Sequence, residues 1–77
     1  MQVDVNELLF IKENTPNGMY SIIAERLRKR GVDATRFTVA KECTSIKVDG
    51  DYNQEVITEL REVFYLLTGL QYTKVTA

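Results

Sequence analysis

Apolar residues recur at three- and four-residue spacing in three stretches of the chain, and this period predicts amphipathic helices. The predicted helices span about 5–14, 18–30 and 52–68. Their apolar stripes consist of Val5, Leu8, Leu9 and Ile11 in the first helix, Met19, Ile22, Ile23 and Leu27 in the second, and Val56, Ile57, Leu60, Val63, Phe64 and Leu67 in the third. The chain therefore supplies three faces that can pack together.

Residues that start or stop helices stand at the ends of these stretches. Pro16 follows the first stretch and cannot continue its helix. Gly31 and Gly69 are suited to the position just after the second and the last helix. Asp51 with Gln54 three residues on has the pattern of a capping box, so we expect the last helix to begin near residue 52.

The segment 32–48 fits neither the helical nor the strand period well. Interpreted as a helix over about 33–43, it is capped by Asp33. The side chains that this helix would turn inward are Phe37, Ala40 and Thr44. Val39 would then face outward, which is an unfavourable position for an apolar residue.

The competing interpretation makes 36–48 a strand or hairpin of an α+β fold. Several β-branched residues favour it, namely Thr38, Val39, Thr44, Ile46 and Val48. The apolar residues do not keep to one face of such a strand, however, because Val39 and Ile46 would point to opposite sides of the sheet. We expect the helix, and keep the strand as the alternative.

The fold predicted from these elements is mainly α, a small helical bundle in one domain over residues 1–77. Short extended pieces are expected near 45–48 and 71–76. The residues expected to pack the bundle are Ile23, Leu27, Phe37, Leu60 and Phe64. A chain of 77 residues buries only a small core, so each of these contacts should matter for stability.

Composition excludes several kinds of chemistry. The chain has one cysteine, Cys43, and no histidine, so neither an internal disulfide nor an ordinary zinc site is expected. The acidic residues Glu55, Glu59 and Glu62 repeat at helical spacing and are expected on a solvated face rather than across a cleft. We therefore expect no enzyme activity, no metal and no cofactor.

Nothing in the sequence predicts a membrane segment or an export signal. The longest apolar run, 63–67, is too short to cross a bilayer, and the first residues include Asp4 and Glu7 rather than a basic region. The expected location is the cytoplasm.

The net charge of −1 hides an uneven distribution. Residues 1–13 carry a charge of −2, residues 14–47 carry +4, and residues 48–77 carry −3. A basic middle segment between acidic ends suggests contact with a polyanion, although a solvated charged surface is the plainer interpretation.

The order of elements between Ile11 and Val63 adds to this suggestion. "IKENTPNG" is followed by "MYSIIAERL", then by "GVDATRFTVAKEC", then by "YNQEVITELREVF". This series resembles the small helix-turn-helix DNA-binding proteins of the phage-repressor type, especially those of bacterial prophages and mobile elements. One departure is that Gly31 comes seven residues after Ala24 instead of four, which lengthens the positioning helix by nearly one turn.

The resemblance implies a helix-turn-helix core at about 18–43, a double-stranded DNA partner and a role in transcription regulation. Base contacts are expected from Thr35, Arg36, Thr38 and Lys41. Phosphate contacts are expected from Tyr20, Ser21, Arg28, Lys29, Arg30 and Lys47. Three residues widen the apolar surface of the last helix, and they either form a homodimer interface or cover the core of a small monomer: Tyr65, Leu66 and Leu70. The alternative function is a small α+β protein-interaction module that binds no nucleic acid.

Overall fold

The amphipathic segments form four helices in the computed structural model, which describes residues 2–72. The helices are α1 (Val5–Asn14), α2 (Met19–Lys29), α3 (Arg36–Thr44) and α4 (Gln54–Thr68). Within the described residues the only β pairing is an isolated antiparallel bridge between Gln2 and Asp51. The prediction of a mainly α bundle is confirmed, and the α+β alternative with 36–48 as a strand or hairpin is wrong.

The side chains that start α3 and α4 are not those predicted from the sequence. Thr35, not Asp33, caps α3: its hydroxyl accepts the backbone N–H of Thr38 at 3.2 Å. Asn53, not Asp51, caps α4, and its side-chain oxygen accepts the N–H groups of Glu55 and Val56. α3 therefore begins three residues later than the predicted residue 33, and α4 begins two residues later than the predicted residue 52.

All four helices contribute to one hydrophobic core. Its buried side chains are Val3, Leu8, Ile11, Met19, Ile23, Ala24, Leu27, Ala34, Val39, Cys43, Tyr52, Val56, Ile57, Leu60, Val63 and Phe64. Packing through Ile23, Leu27, Leu60 and Phe64 agrees with the prediction. Leu9, Ile22 and Leu67, which the apolar stripes included, are largely exposed at the edges of their helices.

The inward face of α3 differs from the predicted one. Val39 and Cys43 are buried, whereas the ring of Phe37 is 71% exposed. At 100° per residue, Val39 and Cys43 share one side of the helix and Phe37 lies on the opposite side. The prediction that Phe37 packs in the core is wrong, because the four-residue spacing of Val39 and Cys43 sets the rotation of this short helix.

Burial of Cys43 also fixes the state of its thiol. Burial, together with the nearby carboxylate of Glu42, raises the pKa of the Cys43 thiol to about 12. The sulfur is therefore protonated near neutral pH and behaves as a small apolar group of the core.

The link between α3 and α4 contains no strand. Ser45 has an extended backbone, but residues 48–49 form a turn. The buried Tyr52 holds this segment by two hydrogen bonds. Its hydroxyl donates to the carbonyl of Ser45 at 2.6 Å and accepts the N–H of Lys47 at 3.1 Å. Of the extended piece expected at 71–76, only 71–72 fall within the described residues, and these two form no strand.

The core assignment predicts a large effect at Leu60, whose side chain is fully buried. Replacing Leu60 by alanine should lower the free energy of unfolding by about 2–5 kcal/mol, because the change removes apolar contacts and leaves a cavity. The measurement is urea unfolding followed by circular dichroism. Leu66→Ala is the control, because Leu66 is exposed on the same helix and its loss should change stability by about 0.5 kcal/mol or less. Equal losses in the two variants would contradict the assigned face of α4.

Candidate nucleic-acid interface

The turn between α2 and α3 brings the start of α3 against α2. Gly31 has a positive φ of 85°, which lets the chain reverse after the end of α2. The N–H of Val32 donates to the carbonyl of Leu27 at 2.9 Å. The guanidinium of Arg28 donates to the carbonyl of Ala34 at 2.8 Å, so a side chain of α2 also holds the residues that precede α3.

One surface of the molecule is formed jointly by α2 and the first turns of α3. Two adjoining grooves, of about 250 and 300 Å³, lie between these helices. Both are lined by Ser21, Arg36 and Phe37. We define the α2–α3 face as the exposed side chains that line these grooves, together with those of two exposed residues of α3 that line neither groove, Thr38 and Lys41. The exposed groove side chains are those of Ser21, Arg28, Thr35, Arg36 and Phe37.

Of the four residues predicted to contact bases, Thr35 and Arg36 line the grooves between α2 and α3, whereas Thr38 and Lys41 are exposed on α3 outside them. The hydroxyl oxygen of Thr35 accepts the backbone N–H of Thr38 and so caps α3. The same hydroxyl lies 3.1 Å from the hydroxyl of Thr38. The guanidinium carbon of Arg36 lies 4.8 Å from the centroid of the Phe37 ring. The ammonium of Lys41 forms no ion pair within residues 2–72.

The residues predicted to contact phosphate divide into two groups. Ser21 and Arg28 lie on the α2–α3 face, and the half-buried Tyr20 lines one of its grooves. Lys29, Arg30 and Lys47 line neither groove, and each is paired with a carboxylate. The structure therefore brings together three of these side chains with the predicted base-contacting residues and separates the other three from them.

Arg30 belongs to an ion-pair network between α2 and α4. Its guanidinium donates to one carboxylate oxygen of Glu59 at 2.7 Å, and Arg26 donates to the other at 2.8 Å. Arg26 also donates to Glu62 at 2.8 Å. The prediction that Glu59 lies on a solvated face is wrong: its side chain is buried, because two guanidinium groups replace the water that its carboxylate would otherwise need.

Lys47 is held by the link between α3 and α4. Its ammonium donates to Glu42 at 2.8 Å and lies 4.9 Å from the centroid of the Tyr52 ring. Glu42 also accepts the backbone N–H of Asn53 at 2.7 Å. Burial acts to raise the pKa of Glu42, but the bonds from Lys47 and Asn53 outweigh it and lower that pKa. The ion pair is therefore a structural contact.

The three residues predicted to form a dimer interface lie at the C-terminal end of α4 and just beyond it. Tyr65, Leu66 and Leu70 are exposed by 54%, 64% and 41%. Tyr65 and Leu70 also line a groove of about 280 Å³ together with Arg61 and Tyr72. This apolar surface is on a different helix from the α2–α3 face.

Elsewhere in the described part of the chain, a groove of about 540 Å³ at the start of α4 is lined by Arg30, Asn53, Gln54, Glu55 and Thr58. Among residues 2–72, no cluster of three or more cysteine, aspartate or glutamate side chains is arranged to bind a metal ion. None of the four helices is both long enough and apolar enough to cross a membrane.

Comparisons with known proteins yield no assignment. No family model, curated protein or solved structure matches the chain. The resemblance to phage-type repressors is therefore supported by the sequence motifs quoted above. The geometry of the α2–α3 face is the structural observation that bears on function.

The ion-pair network predicts that two adjacent basic residues differ in their effect on stability. Arg30→Gln should lower the free energy of unfolding by about 1–3 kcal/mol, because it removes a charged hydrogen bond from a buried carboxylate. Lys29→Gln is the matched control. Its ammonium lies 3.6 Å from Glu25 in an exposed pair, which should contribute about 0.5 kcal/mol or less. Urea unfolding of both variants is the measurement, and a larger loss in Lys29→Gln would contradict the network.

Proposed function

We propose that this chain is a sequence-specific double-stranded DNA-binding protein, a transcriptional regulator of the phage or mobile-element type. The observation that carries the proposal is the division of α3 into two sides. Val39 and Cys43 pack into the core, whereas Phe37, Thr38 and Lys41 are exposed on the other sides of the helix. Arg36, the first residue of the helix, is exposed beside α2. A short helix held in this way is suited to enter the major groove with its first turns.

The exposed side chains of α3 are of the kinds that recognise base edges. Arg36 is suited to donate two hydrogen bonds to the O6 and N7 atoms of guanine. Thr38 and Lys41 provide a hydroxyl and an ammonium that suit several acceptors in the major groove. Thr35 contributes chiefly by fixing the start of the helix, because its hydroxyl already caps α3.

Phosphate contacts are proposed mainly for the part of α2 that flanks α3. Ser21 and Arg28 are exposed beside Arg36, and the half-buried Tyr20 lines a groove of the same surface. In this arrangement α2 lies along one DNA strand while α3 enters the groove. The predicted phosphate contacts of Lys29, Arg30 and Lys47 contribute less, because these residues lie away from the face and have carboxylate partners.

Two copies of the chain are proposed to bind together. One helix of nine residues contacts few base pairs, and a dimer gains specificity by binding two half-sites. Tyr65, Leu66 and Leu70 supply the proposed interface, since their apolar surface lies outside the α2–α3 face. A regulator of this type would act in the cytoplasm, where bacterial DNA is located.

The salt dependence of binding tests the proposal. Binding of a fluorescent duplex of random sequence should weaken as salt rises, with a log–log slope of about −0.9 for each phosphate neutralised. Arg28→Gln should make this slope shallower by about 0.9, because one phosphate contact is lost. Lys12→Gln is the matched control, since Lys12 is exposed on α1 and should leave the slope unchanged. Fluorescence anisotropy gives the dissociation constants, and thermal unfolding checks that each variant is folded.

Two results would contradict this account. A folded protein with no salt-sensitive affinity for duplex DNA at low ionic strength would exclude DNA binding and favour a protein-interaction module. Equal changes of slope in Arg28→Gln and Lys12→Gln would mean that DNA does not lie on the α2–α3 face.

A further inference from the structure

Phe37 carries an exposed aromatic ring on α3, and this ring does not pack in the hydrophobic core. Its side chain is 71% exposed in the first turn of the helix, on the side opposite Val39. The core is filled at this point by Val39, Cys43 and Ala34, so that burial of the ring is not needed for stability. The ring is therefore available to contact a ligand that binds to the α2–α3 face.

The surroundings of Phe37 indicate the charge of that partner. Arg36 places its guanidinium over the ring, and Lys41 follows one turn later on the same side of the helix. The carboxylate of α3, on Glu42, is directed away to Lys47 and to the N–H of Asn53. The ring is therefore an apolar spot beside cations, which complements a polyanion that itself carries apolar groups.

In the major groove of DNA, the apolar group that stands out from the base edges is the 5-methyl group of thymine. We propose that Phe37 contacts this methyl group and makes the protein select thymine close to the guanine that Arg36 recognises. The inference rests on the proposed function and adds one element of the target sequence. Arg36 and Phe37 are consecutive and stacked, so the two bases belong to neighbouring base pairs.

The stacked arrangement also explains how a flexible arginine can be selective. Contact with the ring restricts the guanidinium of Arg36 before DNA is bound, so less side-chain entropy is lost when it forms two hydrogen bonds. Phe37 thus has two effects in the proposal, a direct contact with thymine and the positioning of Arg36.

The test replaces thymine by deoxyuridine, which removes only the methyl group. Duplexes are first selected from a random pool that contains thymine, and the best sequence is resynthesised with deoxyuridine at each thymine in turn. At one position the wild-type protein should bind about fourfold more weakly, as expected for loss of one buried group of methyl size. Phe37→Ala should bind the thymine and deoxyuridine duplexes equally.

Two control variants separate the effect of Phe37 from general weakening. Lys41→Gln should weaken binding to both duplexes by the same factor and keep the fourfold preference, because Lys41 lacks apolar contact with the methyl group in this proposal. Phe37→Leu should keep part of the preference, because leucine still offers an apolar surface. Thermal unfolding of Phe37→Ala should match the wild type, since the ring is exposed.

These measurements distinguish failure of the inference about Phe37 from failure of the proposed DNA binding. If a sequence is selected and bound with salt sensitivity, but deoxyuridine is tolerated at every position, the inference about Phe37 is wrong and the proposed function stands. A preference for thymine that persists in Phe37→Ala would also overturn the inference. If no sequence is selected and no duplex is bound, the proposed function fails and the inference fails with it.

Discussion

The packing of Val39 and Cys43 in the core fixes the rotation of α3, and the exposed surface of this helix depends on that rotation. Both side chains are buried, and α3 has only nine residues, so these two contacts decide which side faces outward. Phe37 and Lys41 are exposed as a consequence. A helix rotated to bury Phe37 would turn Val39 into solvent.

The division of basic residues is a second consequence of helix geometry. Arg28 lies in the last turn of α2 and Arg30 follows the helix as its C-cap residue, and the two side chains point in different directions. Arg28 faces α3 and holds the carbonyl of Ala34, whereas Arg30 faces α4 and binds Glu59. The basic cluster at residues 28–30 is thus divided between two surfaces. Arg30 joins the end of α2 to α4, and Arg28 lies on the α2–α3 face.

The sequence was sufficient to predict α1, α2 and α4, because each has an apolar stripe long enough to reveal its period. It was not sufficient for the inward face of α3. Large size favoured Phe37 as a core residue, but the space over α2 is filled by Val39 and Cys43, and only the packed structure decides between them. Burial of Glu59 was missed for a similar reason, because its partners Arg26 and Arg30 are 33 and 29 residues away in the chain. The residues expected to contact bases, Thr35, Arg36, Thr38 and Lys41, are all exposed in the structure, and their contact with bases stays a prediction.

The most direct test of the central claim is a nuclear magnetic resonance titration of the labelled protein with duplex DNA at low salt. If α3 is a recognition helix presented beside α2, the backbone amide signals of Ser21, Arg28 and Arg36 to Lys41 should shift, while those along the exposed side of α4 from Glu55 to Glu62 should not. Shifts concentrated on α4, or no shifts while the protein remains folded, would contradict the account.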